Sequence, residues 1–176
     1  MKKSKKNLIR LTLAAMLMAM SFVAGLFCKN FLTFGIYYRV TFENLAVILA
    51  GILLGPFYGA AVGIGEDVIS CLMSTNPAVN PVITAGAAMV GFLSGLIAKY
   101  IIRKHSLIQY IAAAYIAHLV GQVLIKSVGK IFYFGMPWYG IFIGLAISLA
   151  VAAVEVAIIA LIMKTKPVIK LEKEIN

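Results

Sequence analysis

The sequence predicts an all-α integral membrane protein: one domain over residues 1–176, a six-transmembrane-helix bundle with both termini cytoplasmic. Three observations predict it. Hydrophobic residues make up 62% of the chain and mean hydropathy is +1.00, whereas a soluble domain averages about half apolar residues. A chain of 176 residues cannot hide that much apolar surface in its own core, because small domains leave much of their surface exposed. The apolar residues also fall into six runs, most of them near the roughly 20 residues that a crossing needs. Finally, of the 16 Lys and Arg, all but Lys29, Arg39, Lys126 and Lys130 lie in the N-terminal segment, the segment after the fourth run and the tail. The positive-inside rule places those three segments in the cytoplasm. The formal charge of +10 therefore reads as topology rather than as affinity for nucleic acid.

The first run spans Leu8 to Phe27 and follows a basic leader. Five more apolar runs follow it, so it is a span rather than a removable signal. A loop with Lys29, Asn30 and Arg39 leads to the second run, Phe42 to Leu54, which is short and stops at the turn signal Gly55-Pro56. The third runs from Phe57 to Met73 and is broken by Ser74-Thr75-Asn76-Pro77 and Asn80-Pro81. The fourth, Val82 to Ile102, and the fifth, Leu107 to Phe132, flank Arg103-Lys104-His105-Ser106. Gly135-Met136-Pro137 precedes the sixth, Trp138 to Met163, and a charged tail follows. In lipid every backbone polar group needs an internal partner, so these runs are expected to be helices. No strand alternation is visible. Cys28 and Cys71, near span ends, are expected to be inert thiols.

Small residues recur at four-residue spacing: Ala15 and Ala19; Gly55, Gly59 and Gly63; Gly91 and Gly95; Gly140, Gly144 and Ser148. Such stripes let helix backbones approach closely, either within the bundle or against a separate membrane protein.

Ionisable residues in spans are expensive and mark function. The third span carries Glu66 and Asp67, and Asp67 continues the Gly55-Gly59-Gly63 stripe inward. The fifth carries His118, Gln122 and Lys126 on one helical face, extended by Lys130, and the sixth carries Glu155. At about 1.5 Å per residue, Asp67, His118 and Glu155 lie at similar depths and are expected to meet. Nearer the outside, Arg39 precedes Glu43 and Asn44. Arg39 can hold a carboxylate through two parallel hydrogen bonds, and Lys126 can add a point charge. With Trp138, Tyr139 and Tyr133 nearby, these residues suggest an outward pocket for an anionic molecule with a flat ring. An interfacial aromatic belt is the alternative for the rings.

Several chemistries are excluded. Lys126-Ser127 lacks the glycine of a phosphate loop, and no GxxxxGK[ST], HExxH or GxSxG occurs. No enzyme activity, metal or cofactor is expected.

Four segments carry a family resemblance: LTLAAMLMAM, RVTFENLAVILAGILLGPFYGAAVGIGEDVIS, NPAVNPVITAGAAMVGFLSGL and HLVGQVLIKSVGKIFYFGMPW. Together they resemble the substrate-binding S component of energy-coupling factor (ECF) vitamin transporters, in particular the folate family. The resemblance implies a six-helix cell-membrane protein that captures a vitamin, folate being favoured, from outside. It implies delivery to a coupling module made of a transmembrane T protein and two ATPases. Ala15 and Ala19 match the family's docking face, Asp67 its Asp after a small-residue helix, and Arg39 its Arg before the second helix. On this reading Arg39 and Lys126 hold ligand carboxylates. Asp67, Asn80, His118 and Gln122 bind ring groups, and Trp138 or Tyr139 stacks. Where folate-family members often read Phe-Gly-Phe, this chain has Phe42-Glu43-Asn44, a polar pair that would remodel the pocket. Pantothenate or a queuosine precursor remain alternatives, as does a self-sufficient proton-coupled carrier that uses Asp67, His118 and Glu155.

Overall fold

The computed structural model describes residues 3–34, 38–73, 80–101, 107–135, 137 and 139–175. Helix α1 covers Lys3–Phe31, followed by short strands β1 (Thr33–Phe34) and β2 (Tyr38–Arg39). Then come α2 (Glu43–Leu54), α3 (Pro56–Leu72) and α4 (Pro81–Leu96), which ends in a π-helical turn over Ile97–Ile101. Helix α5 (Leu107–His118) passes through a π-helical segment, Leu119–Ile125, into α6 (Lys126–Phe134). Helices α7 (Gly140–Met163) and α8 (Lys166–Ile175) complete the chain.

The breaks are local in origin. Gly55 joins α2 to α3 at φ 102°, a left-handed backbone that favours glycine, and Pro56 opens α3 where its missing N–H costs nothing. Asn80 caps α4: its Oδ1 accepts from the Val82 and Ile83 N–H groups at 3.0 and 3.4 Å.

Four helical stretches, Ser4–Phe31, Pro81–Ile101, Ile108–Tyr133 and Gly140–Met163, are long and apolar enough to cross a membrane. Their outward faces carry large exposed apolar side chains such as Phe31, Phe132 and Phe142, as lipid contact requires. The short α2 is different in kind. It is apolar along Ala46–Leu54 and all of those residues are buried. A helix apolar all round belongs inside a bundle, so α2 faces protein rather than lipid.

Glycines set the centre. A Cβ at Gly59 would fall 2.4 Å from the Gly91 carbonyl oxygen, and one at Gly63 2.3 Å from that of Ala87. A Cβ at Gly51 would fall 2.4 Å from the same Gly91 oxygen. The glycine stripes of α3 and α4 therefore pack against each other, with α2 wedged beside them. The α1 stripe takes no part in this contact, and both Ala15 and Ala19 are exposed.

Three elements depart from the sequence expectations. Helix α1 continues past Phe27 and takes Lys29 and Asn30 into its last turns. Part of the expected loop is a hairpin in which Thr33 pairs with Arg39 and Phe34 with Tyr38. The charged tail is helical: Val168 and Leu171 pack on the core and Ile175 is fully buried. The Tyr110 hydroxyl donates to Glu172 at 3.2 Å, and the Arg10 guanidinium donates to the Ile175 carbonyl. This last bond brings the first and last helices together at one end of the bundle.

Candidate functional site

At the opposite end, α2 begins with two buried polar residues, Glu43 and Asn44. A carboxylate in the first turn suits the positive end of a helix dipole, and the Ser21 hydroxyl donates to the Glu43 carbonyl at 2.7 Å. Around this point a buried polar network spans four helices. The Lys126 ammonium lies 3.4 Å from Glu43 Oε1, both side chains about 6% exposed. The Asn44 amide donates to Gln122 Oε1 at 3.4 Å, and the Gln122 amide donates to Thr41 Oγ1 at 3.5 Å. On α3, Glu66 accepts from the Ser70 hydroxyl at 2.9 Å, and Asp67 accepts from the Thr84 hydroxyl of α4 at 2.6 Å. A Cβ at Gly25 of α1 would sit 3.1 Å from Glu43 Oε2 and 3.4 Å from Glu66 Oε1. The absence of a side chain there lets both carboxyl groups face α1.

The π-helical segment explains how the polar face of the fifth run divides. Hydrogen bonding from i to i+5 rotates the face that follows relative to an unbroken α-helix. His118, before the segment, turns to α7. Gln122 and Lys126, within and just after it, turn to α2 and to Thr41, two residues before it. Gly121 makes room, since a Cβ there would lie 2.7 Å from the Gly86 carbonyl oxygen of α4.

The expected meeting of Asp67, His118 and Glu155 forms in part. His118 Nδ1 is 2.6 Å from Glu155 Oε2, and its Nε2 is 2.9 Å from Ser148 Oγ. Among the described residues, Asp67 bonds Thr84 rather than His118. The Ser148-His118-Glu155 chain has the connectivity of a hydrolytic triad. Ser148 nevertheless sits inside α7, where neighbouring backbone N–H groups are spent on helix carbonyls and cannot form an oxyanion hole. His118 is 1% exposed and Glu155 fully buried, so the pair acts as a tether between α5 and α7. Replacing His118 by Ala is expected to cost roughly 3–5 kcal/mol by leaving Glu155 without its partner. Converting both residues to Leu is expected to restore most of that loss. Unfolding temperatures in detergent check this; a single variant as stable as the double one would refute the tether.

The other expected residues are distributed as follows. Arg39 has its backbone in β2, its side chain lying outside the described residues, as does all of Trp138. Asn80 uses its Oδ1 as the α4 cap. Tyr139 is 73% exposed at the start of α7. Ala15 and Ala19 line an apolar groove of about 380 Å3 between α1 and α3, with Met18, Tyr58, Ala61 and Ile69 along its walls. Sequence reasoning did not single out Ser21, Gly25, Thr41, Ser70 or Thr84. A small hydroxyl residue, or for Gly25 a glycine, in or beside an apolar run is the only signal they carry, and it does not say which helix they meet.

Among the described residues, the structure is a bundle of apolar helices with a polar network near one end. The chain belongs to the family of ECF transporter substrate-specific components, whose profile matches residues 9–167. No curated protein matches the sequence. Among solved structures the fold is similar to the crystal structure of FolT bound with folic acid. The TM-score is 0.73 at 15% identity, covering 89% of this chain and 93% of that one. The chain is thus a multi-pass membrane transport protein.

Proposed function

We propose that this chain captures a vitamin from outside the cell and hands it to an ATP-driven coupling module. In this reading it crosses the membrane six times, with α2 and α3 serving as a short central pair, and both termini are cytoplasmic. Bonding between α1 and α8 supports a common side for the termini, and the basic residues at that end support the cytoplasm. The observation that carries the reading is the network of buried Glu43, Asn44, Asp67 and Lys126 with the half-buried Gln122 at the end that bears the hairpin. It offers donors and acceptors to a polar ring, and in this reading Arg39, Trp138 and Tyr139 complete the site. Folate is the first candidate ligand, since the similar FolT structure holds folic acid. The groove at Ala15 and Ala19 is the docking face for the T protein.

Calorimetry on the purified full chain in detergent tests the capture step. Folates are expected to bind with measurable heat and to raise the unfolding temperature; no heat and no shift across the folates would remove them as ligands. The His118–Glu155 pair favours a second reading, a self-sufficient proton-coupled carrier, and liposomes separate the two. Uptake is expected only with the coupling module and ATP present, whereas uptake by this chain alone under a pH gradient would establish the carrier.

A further inference from the structure

The groove between α1 and α3 is held at one end by a helix that lines no part of it. The lining residues nearest the starts of the two walls are Leu11 on α1 and Tyr58 on α3. Leu11 adjoins Arg10, whose guanidinium donates to the Ile175 carbonyl at the end of α8. Tyr58 lies in the first turn of α3, just past Gly55, where a Cβ would fall 3.3 Å from the Lys99 ammonium. Lys99 is in turn within electrostatic reach of Arg10 and of Glu172 on α8. The buried Glu172 also accepts from the Tyr110 hydroxyl of α5 at 3.2 Å. Through these contacts α8 links the beginnings of both groove walls to α5.

The first wall relies on that link. No residue of α1 from Ser4 to Leu13 is buried. This half of the helix is held through Arg10 and through Ile9 and Leu13, which rest on the core that also takes Val168, Leu171 and Ile175 of α8.

Helix α8 is itself conditional. It has 10 residues, and an isolated helix that short is marginal in water. Its order comes from one apolar face, with Val168 and Leu171 packed on the core and Ile175 fully buried. Arg10 meets its carbonyl end, where a cation is favoured. Released from the bundle, α8 would lose both supports and unwind. An element that is folded only when docked has two states, and such an element can couple the sites that bias it.

We propose that α8 is a detachable strap that sets the spacing of α1 and α3, so that docking of α8 and seating of a coupling-module helix in the groove favour each other. The proposal rests on the reading of the groove as the docking face and adds its regulation. Linkage makes the effect reciprocal: loosening α8 weakens the partner, and the partner tightens α8.

Ile175→Asp places a carboxylate in a fully buried position and releases the strap. In titrations against a coupling module pulled down through a tagged ATPase, this variant is expected to associate about tenfold more weakly or worse, while remaining monodisperse by size exclusion. Leu171→Asp takes its place if Ile175→Asp does not fold. Lys170→Glu, on the exposed face of α8, is expected to associate like the unaltered chain. Full association by a folded strap variant would overturn the proposal. So would a loss with Lys170→Glu as large as with Ile175→Asp, since α8 would then touch the partner directly. Backbone hydrogen exchange on the unaltered chain needs no variant: the α8 amides are expected to exchange about tenfold more slowly in the complex than in the free chain, and equal rates count against the strap. Docking and strap fail separately. A complex that survives Ala15→Trp, or an unaltered chain that forms none, overturns the docking reading and the strap with it. A complex lost with Ala15→Trp but kept by the folded strap variants overturns the strap alone.

Discussion

Gly91→Val is expected to leave almost no folded protein. A Cβ on Gly91 would lie 2.0 Å from the Gly59 carbonyl oxygen and 2.3 Å from its carbon. Both obstacles are helix backbone, so no side chain can rotate away; α3 and α4 would have to separate. Gly51 meets the same carbonyl oxygen of Gly91, so separation would also loosen α2, the fully buried centre. Overpacking a core with flexible side chains costs about 1–3 kcal/mol. A rigid clash at a three-helix junction costs more, against a typical total stability of about 5–15 kcal/mol. Size-exclusion profiles of a fluorescent fusion in detergent measure the result. Gly135→Asn is the control: Gly135 has φ 63° but nothing within 4 Å of a Cβ, and Asn tolerates that backbone. A monodisperse Gly91→Val protein with ordinary thermal stability would mean that α3 and α4 do not pack as described.

Ala15→Trp is expected to abolish co-purification with the T protein and ATPases and to spare ligand binding. Ala15 is exposed on α1 and lines the apolar groove, whereas the polar network lies beyond it, near Gly25 and Glu43. An indole there fills the space that a partner helix would enter. At about 1–3 kcal/mol for overpacking, association falls roughly ten- to a hundredfold, enough to lose the complex during washing. Pull-down through a tagged ATPase, with calorimetry on the same preparation, checks both halves. A retained complex would show that the groove is a lipid-facing surface.

Much of the helical layout was legible. Gly55-Pro56 and Asn80-Pro81 act through their own backbone geometry and capping, so they ended and began helices where expected. The paired glycine stripes of α3 and α4 read correctly as close contact, and His118 and Glu155 met as their depths suggested. Asp67 did not join them: depth along a span is a one-dimensional quantity, and Thr84 on the neighbouring α4 lies closer in rotation about the axis. Lys126, expected to face a ligand acid, lies 3.4 Å from Glu43 in the first turn of α2, a partner that its position along the fifth run did not reveal. The α8 helix was visible in principle, because Val168, Leu171 and Ile175 repeat at helical spacing; the flanking charges concealed it.

The sequence by itself determined that the chain is helical, membrane-embedded and equipped with ionisable groups. These properties follow from local rules: lipid forces each backbone to satisfy itself, and hydropathy and glycine act residue by residue. Only the tertiary structure decided which of those groups face one another. Pairing depends on the rotation of each helix about its axis, and in the fifth run a π-helical segment, packed against α4, re-phases the face between His118 and Lys126. Regular periodicity carries no record of that change of register.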